Sequence, residues 1–358
     1  MMRFCKEVLG MKLTKHNYML EVENGYVVRR THPDNNNIVI LNYTPKTIYE
    51  RRWNDITLQC RGLILNEKTG EIVAKPFSKF FNYGENSRLD IQIPSSKPEI
   101  TVKYDGSLGI CYRLNNKLLW ATRGSFTSNQ AIVAQQIWEE KYNDKKVPNE
   151  LTLLVEIIHP ITKVVVNYDF IDLVLIGAVN RFTGYDYNYD ELLAIAKEVG
   201  VPITEKINLD LQSVLDKIKT LDHTQEGFVL RWNDGFRLKV KSDEYLRVHK
   251  IVTGMSEESV LEFWVENNLE ELIISLPEEF RQEIEDIKQK YNKILLDIKN
   301  EIYYKYNIAP KENRKEFAIW VNKNIKRYSH LMFKMFDNKL SDKDIKEIIL
   351  KSYKEELS

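Results

Sequence analysis

The sequence predicts an α+β protein that is strand-rich to about residue 250 and all-helical from 251 to 358. Two observations predict it. Before residue 250, short runs of β-branched and aromatic residues alternate with turn pairs such as Asn24-Gly25, Pro33-Asp34, Asn115-Asn116 and Asp234-Gly235. After it, apolar residues recur at helical spacing, as in Ile284, Ile287, Tyr291, Leu295 and Ile298, and Pro277 and Pro310 are the only prolines.

The elements follow in order. Ile100-Thr101-Val102 and Leu108-Gly109-Ile110-Cys111-Tyr112 read as strand, tight Asp-Gly turn, strand, with Lys103 at the mouth of the turn. Leu151–Ile158 reads as a buried strand carrying one carboxylate, Glu156. Two runs of β-formers around Asn233-Asp234-Gly235 signal a hairpin. Helical patterns interrupt these strands at 128–142, 189–199 and 210–220; Asp190 is placed to cap the second, and Gly200-Val201-Pro202 to stop it. No repeat or low-complexity linker separates the two parts, so domains are expected at 1–250 and 251–358.

Composition narrows the class. Lysine plus arginine and aspartate plus glutamate each number 52, so the net charge is zero and any nucleic-acid binding needs a local cationic surface. Cysteines at 5, 60 and 111 have no metal-type spacing and fit a reduced cytoplasmic protein better than a disulfide framework. The six histidines are scattered, with no helical pair at zinc-ligand spacing. Lys6, Lys12 and Lys15 interrupt the N-terminus, and no apolar run of membrane-spanning length occurs; the expectation is no membrane partner.

Chemistry concentrates in three places. Lys103 is held at a turn, where an uncharged amine can attack a nucleotide phosphate. Lys239 and Lys241 lie two residues apart on one strand and face one way, with Arg237 extending the row; such a row repels itself unless an anion sits between. Glu156 and Glu226 are carboxylates on otherwise apolar segments, costly unless paired with cations, a ribose hydroxyl or a metal. Taken singly, each has a bland alternative: a solvated hairpin lysine, an edge-protecting lysine strand, a salt-bridged sheet glutamate.

Together they resemble the covalent nucleotidyltransferases, the ATP-dependent ligases and RNA-capping enzymes. Their signature is Lys-x-Asp-Gly, a mid-chain strand glutamate, Glu-Gly-aliphatic and a final Lys-x-Lys strand; here these are Lys103–Gly106, Glu156, Glu226-Gly227-Phe228 and Lys239–Lys241, in that order. Within the superfamily the chain is most similar to the phage-type RNA ligase 1 family of tRNA-repair ligases. Cys60-Arg61-Gly62, Lys79-Phe80-Phe81-Asn82, Ser107 after the nucleophile motif, Arg123-Gly124-Ser125 and Ser242-Asp243 with Tyr245 and His249 carry that resemblance, over about residues 40–250. Arg123 and Lys163 stand where a member of that family has lysine and arginine, keeping charge but changing donor geometry. The helical tail argues against DNA ligases and capping enzymes, which continue into a small β-barrel.

The resemblance implies an adenylyltransferase domain of antiparallel sheets with flanking helices, followed by an all-α domain. It implies an ATP- and Mg²⁺- or Mn²⁺-dependent RNA ligase that joins 5′-phosphate and 3′-hydroxyl RNA ends, tRNA among them. The intermediates would be lysyl-AMP and RNA-adenylate; a monomer in a phage-infected host cytoplasm is the expected setting. By the same resemblance Lys103 is the nucleophile. Lys239 contacts the α-phosphate, and Lys241 the outer phosphates or the field at the attacking lysine. Glu156 takes the ribose or a metal-bound water, and Glu226 a metal or the ribose. Arg61 and Lys79 serve the nucleotide phosphates and the later transfer steps, Tyr43 lines the nucleotide pocket, Gly106 lets the backbone approach the ligand, and Glu270 or Glu271 matches a further metal-contacting carboxylate. A basic stretch with interleaved aromatics, Lys311 to Tyr328, suits RNA contact, though an amphipathic helix with core aromatics would read the same. The rival readings are a GTP-dependent capping-type enzyme or DNA ligase, and a non-catalytic RNA-binding relative.

Overall fold

The computed structural model describes residues 13–357 apart from 90, 253, 270, 271, 273–279 and 326. Cys5, Glu270, Glu271 and Lys326 therefore lie outside the described residues. The chain divides into two compact units between His249 and Lys250.

The first unit holds three four-stranded sheets. β1 (Val27–His32), β2 (Asn35–Tyr43), β3 (Arg61–Asn66) and β4 (Glu71–Ala74) form one, in that order. The second contains β7 (Ser107–Leu114), β8 (Lys117–Thr122), β9 (Leu151–Ile158) and β10 (Asp172–Asn180), ordered β10-β9-β7-β8. The third contains β5 (Phe81–Asn82), β6 (Glu99–Lys103), β11 (Gly227–Arg231) and β12 (Arg237–Lys241), ordered β5-β12-β11-β6. Every ladder is antiparallel except β5 with β12.

Strand alternation explains the layers. In β2, Ile38 and Ile40 pack with Ile110, Leu154 and Val179 of the second sheet, while Val39 and Leu41 face helices Lys15–Glu23 and Asp55–Gln59. In β9, Leu153, Val155 and Ile157 meet Val133, Ile137 and Trp138 of helix Asn129–Lys141, so both faces of the strand are covered. Glu156 is the one residue of β9 that is not fully buried. The third sheet has its own core, in which Ile100, Phe228, Leu230 and Leu238 pack around Trp232.

Local signals account for most helix ends. Ser128 caps helix Asn129–Lys141 through Ala131 N–H. Helix Tyr189–Val199 is capped by Asn188, which forms a capping box with Glu191; Asp190 lies in the first turn instead of at the cap. Gly200, at φ 82°, closes the same helix in the left-handed region.

The Asp-Gly turn departs from the sequence expectation. β6 and β7 do not pair with each other: β6 pairs with β11, and β7 with β8 and β9. Tyr104–Gly106 is thus a crossover between two sheets, and the lysine before it ends a strand that lies against the hairpin 227–241.

In the second unit, among the described residues, five helices follow the break: Glu257–Val265, Arg281–Ile308, Arg314–Asn324, Ser329–Phe336 and Asp342–Leu357. Ile284, Tyr291 and Ile298 of the long helix are buried, as its spacing predicts. Phe317 is fully buried against Tyr306, Phe333 and Phe336, and Arg314 pairs with Asp337. The aromatic of the basic stretch that is most enclosed is therefore core, not a stacking surface, which is the amphipathic-helix alternative.

Candidate active site

Pairing around Gly227 builds the site. Gly227 stands opposite Lys103 on one side and Lys241 on the other. A Cβ at Gly227 would lie 2.0 Å from the Val240 carbonyl, and its φ of +149° is one that L side chains rarely adopt. Only glycine lets three strands close up at this level, and that closure sets Glu226, the preceding residue, between two lysines. Lys103 Nζ lies 2.6 Å from Glu226 Oε2, and Lys241 Nζ lies 3.1 Å from Glu226 Oε1. Glu226 is buried, and Lys103 keeps about a fifth of its side chain exposed (21%).

The electrostatics are those of two lysines bridged by one carboxylate, with two further carboxylates close by. Burial alone would raise the Glu226 carboxyl; Lys103 and Lys241 outweigh it and hold it below the usual range. Glu156 behaves oppositely. Desolvation pushes it up to about 7, against the favourable charge of Lys103 and with help from the nearby carboxylates of Glu226 and Asp105. One carboxyl is thus held below its ordinary range and the other pushed well above it, the kind of divergence that marks sites of proton or phosphate chemistry.

The crossover is fixed from both ends. Gly106 donates its N–H to Glu156 Oε1 at 3.1 Å, and a Cβ there would meet the Ile157 carbonyl at 2.5 Å. The close approach that the structure shows at Gly106 is therefore to strand β9. Asp105 is buried; its Oδ1 accepts from the Tyr245 hydroxyl at 2.9 Å, and its Oδ2 accepts from the Val165 and Val166 amides, each at 2.8 Å. The Asp105 N–H donates to the Tyr168 hydroxyl at 2.8 Å. The buried partners of Asp105, a turn and motif residue in the sequence, carried no signal, nor did Tyr168, because those partners lie 60 or more residues away in sequence.

The remaining candidates gather in a second group. Tyr43 is buried, packs edge-on to Trp53, and its hydroxyl accepts from Arg123 at 3.1 Å. Arg61 lies over the Phe80 ring at 5.2 Å. Lys79 is buried, donates to the Phe80 carbonyl at 2.8 Å and lies over Phe81 at 4.2 Å. β5 brings this segment beside β12, with Asn82 opposite Lys239. Arg237 leaves the cationic row: it is buried, ion-paired with Asp186 and stacked 3.9 Å from the Phe77 ring centroid. Its charge is neutralised inside the protein, because the strand runs from the site into the core.

A family model described as RNA ligase matches residues 59–245, which spans every element of this site from Arg61 to Tyr245. The chain belongs to the phage-type RNA ligase family. That places it among RNA-joining enzymes. It is 25% identical to the RNA ligase of Rhodothermus phage RM378, over 73% of this chain and 77% of that one. It is 29% identical to a putative bifunctional polynucleotide kinase/RNA ligase of Autographa californica nuclear polyhedrosis virus, over 60% of this chain but only 33% of the viral one. A putative RNA ligase of Thermovibrio ammonificans is 23% identical, over 67% of this chain and 66% of that one. Among solved structures, a Naegleria gruberi RNA ligase mutant with ATP and Mn is similar over 50% of this chain and 59% of that one, at 18% identity and a TM-score of 0.39.

Proposed function

We propose that the enzyme joins RNA 5′-phosphate and 3′-hydroxyl ends with ATP, through AMP carried on Lys103 and then on the RNA. The observation that carries this reading is the Lys103–Glu226–Lys241 arrangement across β6, β11 and β12, with Glu156 beside it. One buried carboxylate bridging two lysines places two ammonium groups where a polyphosphate can compete for them as counter-ion.

The proposed steps are those the family resemblance implies. The neutral Lys103 amine attacks the α-phosphorus of ATP; a P–N bond forms, the bond to the β-phosphate oxygen breaks, and pyrophosphate leaves as the amine gives up a proton. AMP then passes to an RNA 5′-phosphate, and a 3′-hydroxyl displaces it to form the phosphodiester. Catalysis of such steps is positioning and charge neutralisation. Lys241 and Lys239 serve the phosphates, Arg61 and Lys79 the later transfers, and Glu156 and Glu226 the ribose or a metal. Among the described residues no group of three or more His, Cys, Asp or Glu side chains is placed to cage an ion. That fits Mg²⁺ or Mn²⁺ held mainly by the phosphates of ATP, with Glu226 or Glu156 as a protein ligand. The ion would neutralise charge on the phosphates as they are transferred. Action on RNA repair, tRNA included, belongs to the same proposal.

The test is incubation with α-labelled ATP and Mg²⁺ followed by a denaturing gel. An acid-labile labelled band on the wild type, absent from Lys103→Ala, is expected. A Lys103→Ala protein that still takes label would overturn the nucleophile assignment, and label from GTP alone would point to a capping-type enzyme. Lys103→Arg should also fail, because a guanidinium cannot lose its proton at working pH.

A further inference from the structure

Beside the crossover that carries Lys103 lies a cavity of about 480 Å³ that the nucleotide-transfer chemistry does not use. It shares Asp105 with the site, but Lys103, Glu156, Glu226 and Lys241 do not line it. Most of its wall comes from the segment between Ile158 and Ile171, with Lys141 beside it. Its size is that of a small-ligand site.

Three kinds of group converge on it. The first is charge. Lys163 is exposed, and among the described residues no carboxylate pairs with it, whereas Lys141 at the same cavity is tied to Asp172 and the Ile171 carbonyl. The second is ring surface. Tyr168 and Phe170 line the cavity and cluster with Tyr104 behind them, centroids 5.5–6.4 Å apart, and Phe170 remains 38% exposed. Tyr104 stands between Lys103 and Asp105, so this cluster is continuous with the nucleophile segment. The third is hydrogen-bonding edge. His159 Nδ1 accepts the Ile161 N–H at 3.1 Å, which leaves Nε2 as the ring's donor in the neutral form, and Asn167 and Asp169 complete the wall.

An unpaired ammonium, an exposed ring face and polar edges are the three contacts a single-stranded nucleotide makes: to phosphate, base face and base edge. We infer that this cavity holds a nucleotide of single-stranded RNA close to the end being joined, with Lys163 on its phosphate and Phe170 against its base. The inference rests on the proposed RNA-joining reaction. It adds a binding subsite and its determinants, and Asp105 couples that subsite to the nucleophile segment.

The experiment is fluorescence anisotropy of the full chain with a labelled, 5′-phosphorylated single-stranded RNA, for wild type, Phe170→Ala, Phe170→Trp and Lys163→Ala. Thermal melting checks that each exposed-site variant folds. Phe170→Ala should weaken binding about five-fold or more, the loss of one base–aromatic stack, and Phe170→Trp should restore it. Lys163→Ala should lower the slope of log affinity against log salt by about 0.7, one phosphate contact on a single strand. Repeating the measurement with a 3′-hydroxyl strand lacking the 5′-phosphate separates the two ends: the larger loss identifies the strand bound. Affinities unchanged for both strands overturn the inference, as does a variant whose labelling of Lys103 by ATP falls as far as its RNA affinity. A wild type that binds RNA normally but never takes AMP on Lys103 would sink the proposed reaction and leave this subsite standing.

Discussion

Replacing Glu156 by Gln should make the protein more stable, and increasingly so as pH rises. The carboxyl sits near 7 in the folded protein because desolvation outweighs the pull of Lys103, against 4.5 as its ordinary value. Between those values the folded chain holds a proton that the unfolded chain has released, so stability falls as pH rises through the window. The loss is complete above about pH 7, and absent below about pH 4. The gap corresponds to at most about 3 kcal/mol, a ceiling because the Glu156 side chain is not wholly sealed from solvent. Glutamine keeps the oxygen that accepts the Gly106 N–H and removes the titration. Urea unfolding of both proteins at pH 5 and pH 8 measures it: the advantage of Glu156→Gln should grow by about 1–2.5 kcal/mol between the two. An advantage that stays constant, or shrinks, would refute the claim that this carboxyl is desolvated among like charges.

Other perturbations test the scaffold. Tyr245→Phe removes the hydroxyl that donates to buried Asp105 and should cost about 2 kcal/mol in urea unfolding while slowing AMP capture by Lys103; unchanged values for both would remove Tyr245 from the support of that segment. Gly227→Ala drives a Cβ to 2.0 Å from the Val240 carbonyl and should destabilise by at least about 3 kcal/mol or abolish soluble protein, read from yield and urea midpoint. Phe317→Ala empties a fully enclosed position in the helical unit and should cost about 3–5 kcal/mol, whereas a surface ring used only for base stacking would cost little stability.

Much of this was legible in the chain, and what was not has identifiable causes. Helices 129–141 and 189–199 were visible because their apolar spacing is local, and Gly200 marked the end of the second, although its cap lay at Asn188 and not at Asp190. The hairpin 227–241 was visible because its turn residues lie between its strands. The partner of Lys103 in that sheet was not, since the Asp-Gly sequence suits a hairpin turn and a sheet crossover equally; the choice was made by Gly227, 124 positions downstream. Arg237 shows the same limit on the site side. Period-two spacing put it in a row with Lys239 and Lys241, but Asp186 and Phe77, remote in sequence, decide what its charge does. Asp105 is the converse case, a residue whose local role as a turn former hid three buried hydrogen bonds.

Glu226 ties these strands of argument together. One buried carboxylate neutralises Lys103 and Lys241 at once, so the folded protein tolerates two lysines at neighbouring ladder positions without any ligand. The same pairing ties the Lys103 nitrogen to Glu226 at 2.6 Å, a contact the attacking amine has to leave. In the proposed reaction the phosphates of ATP offer Lys241 a second anion, and a cation that engages Glu226 weakens its hold on Lys103. Nucleotide binding and release of the amine are then one exchange of counter-ions. On that account Glu226→Gln should retain nucleotide contacts better than it retains AMP capture, because the amide can still accept one hydrogen bond but cannot trade a charge. Nucleotide affinity measured beside the rate of Lys103 labelling separates the two, and equal losses in both would deny Glu226 this exchange.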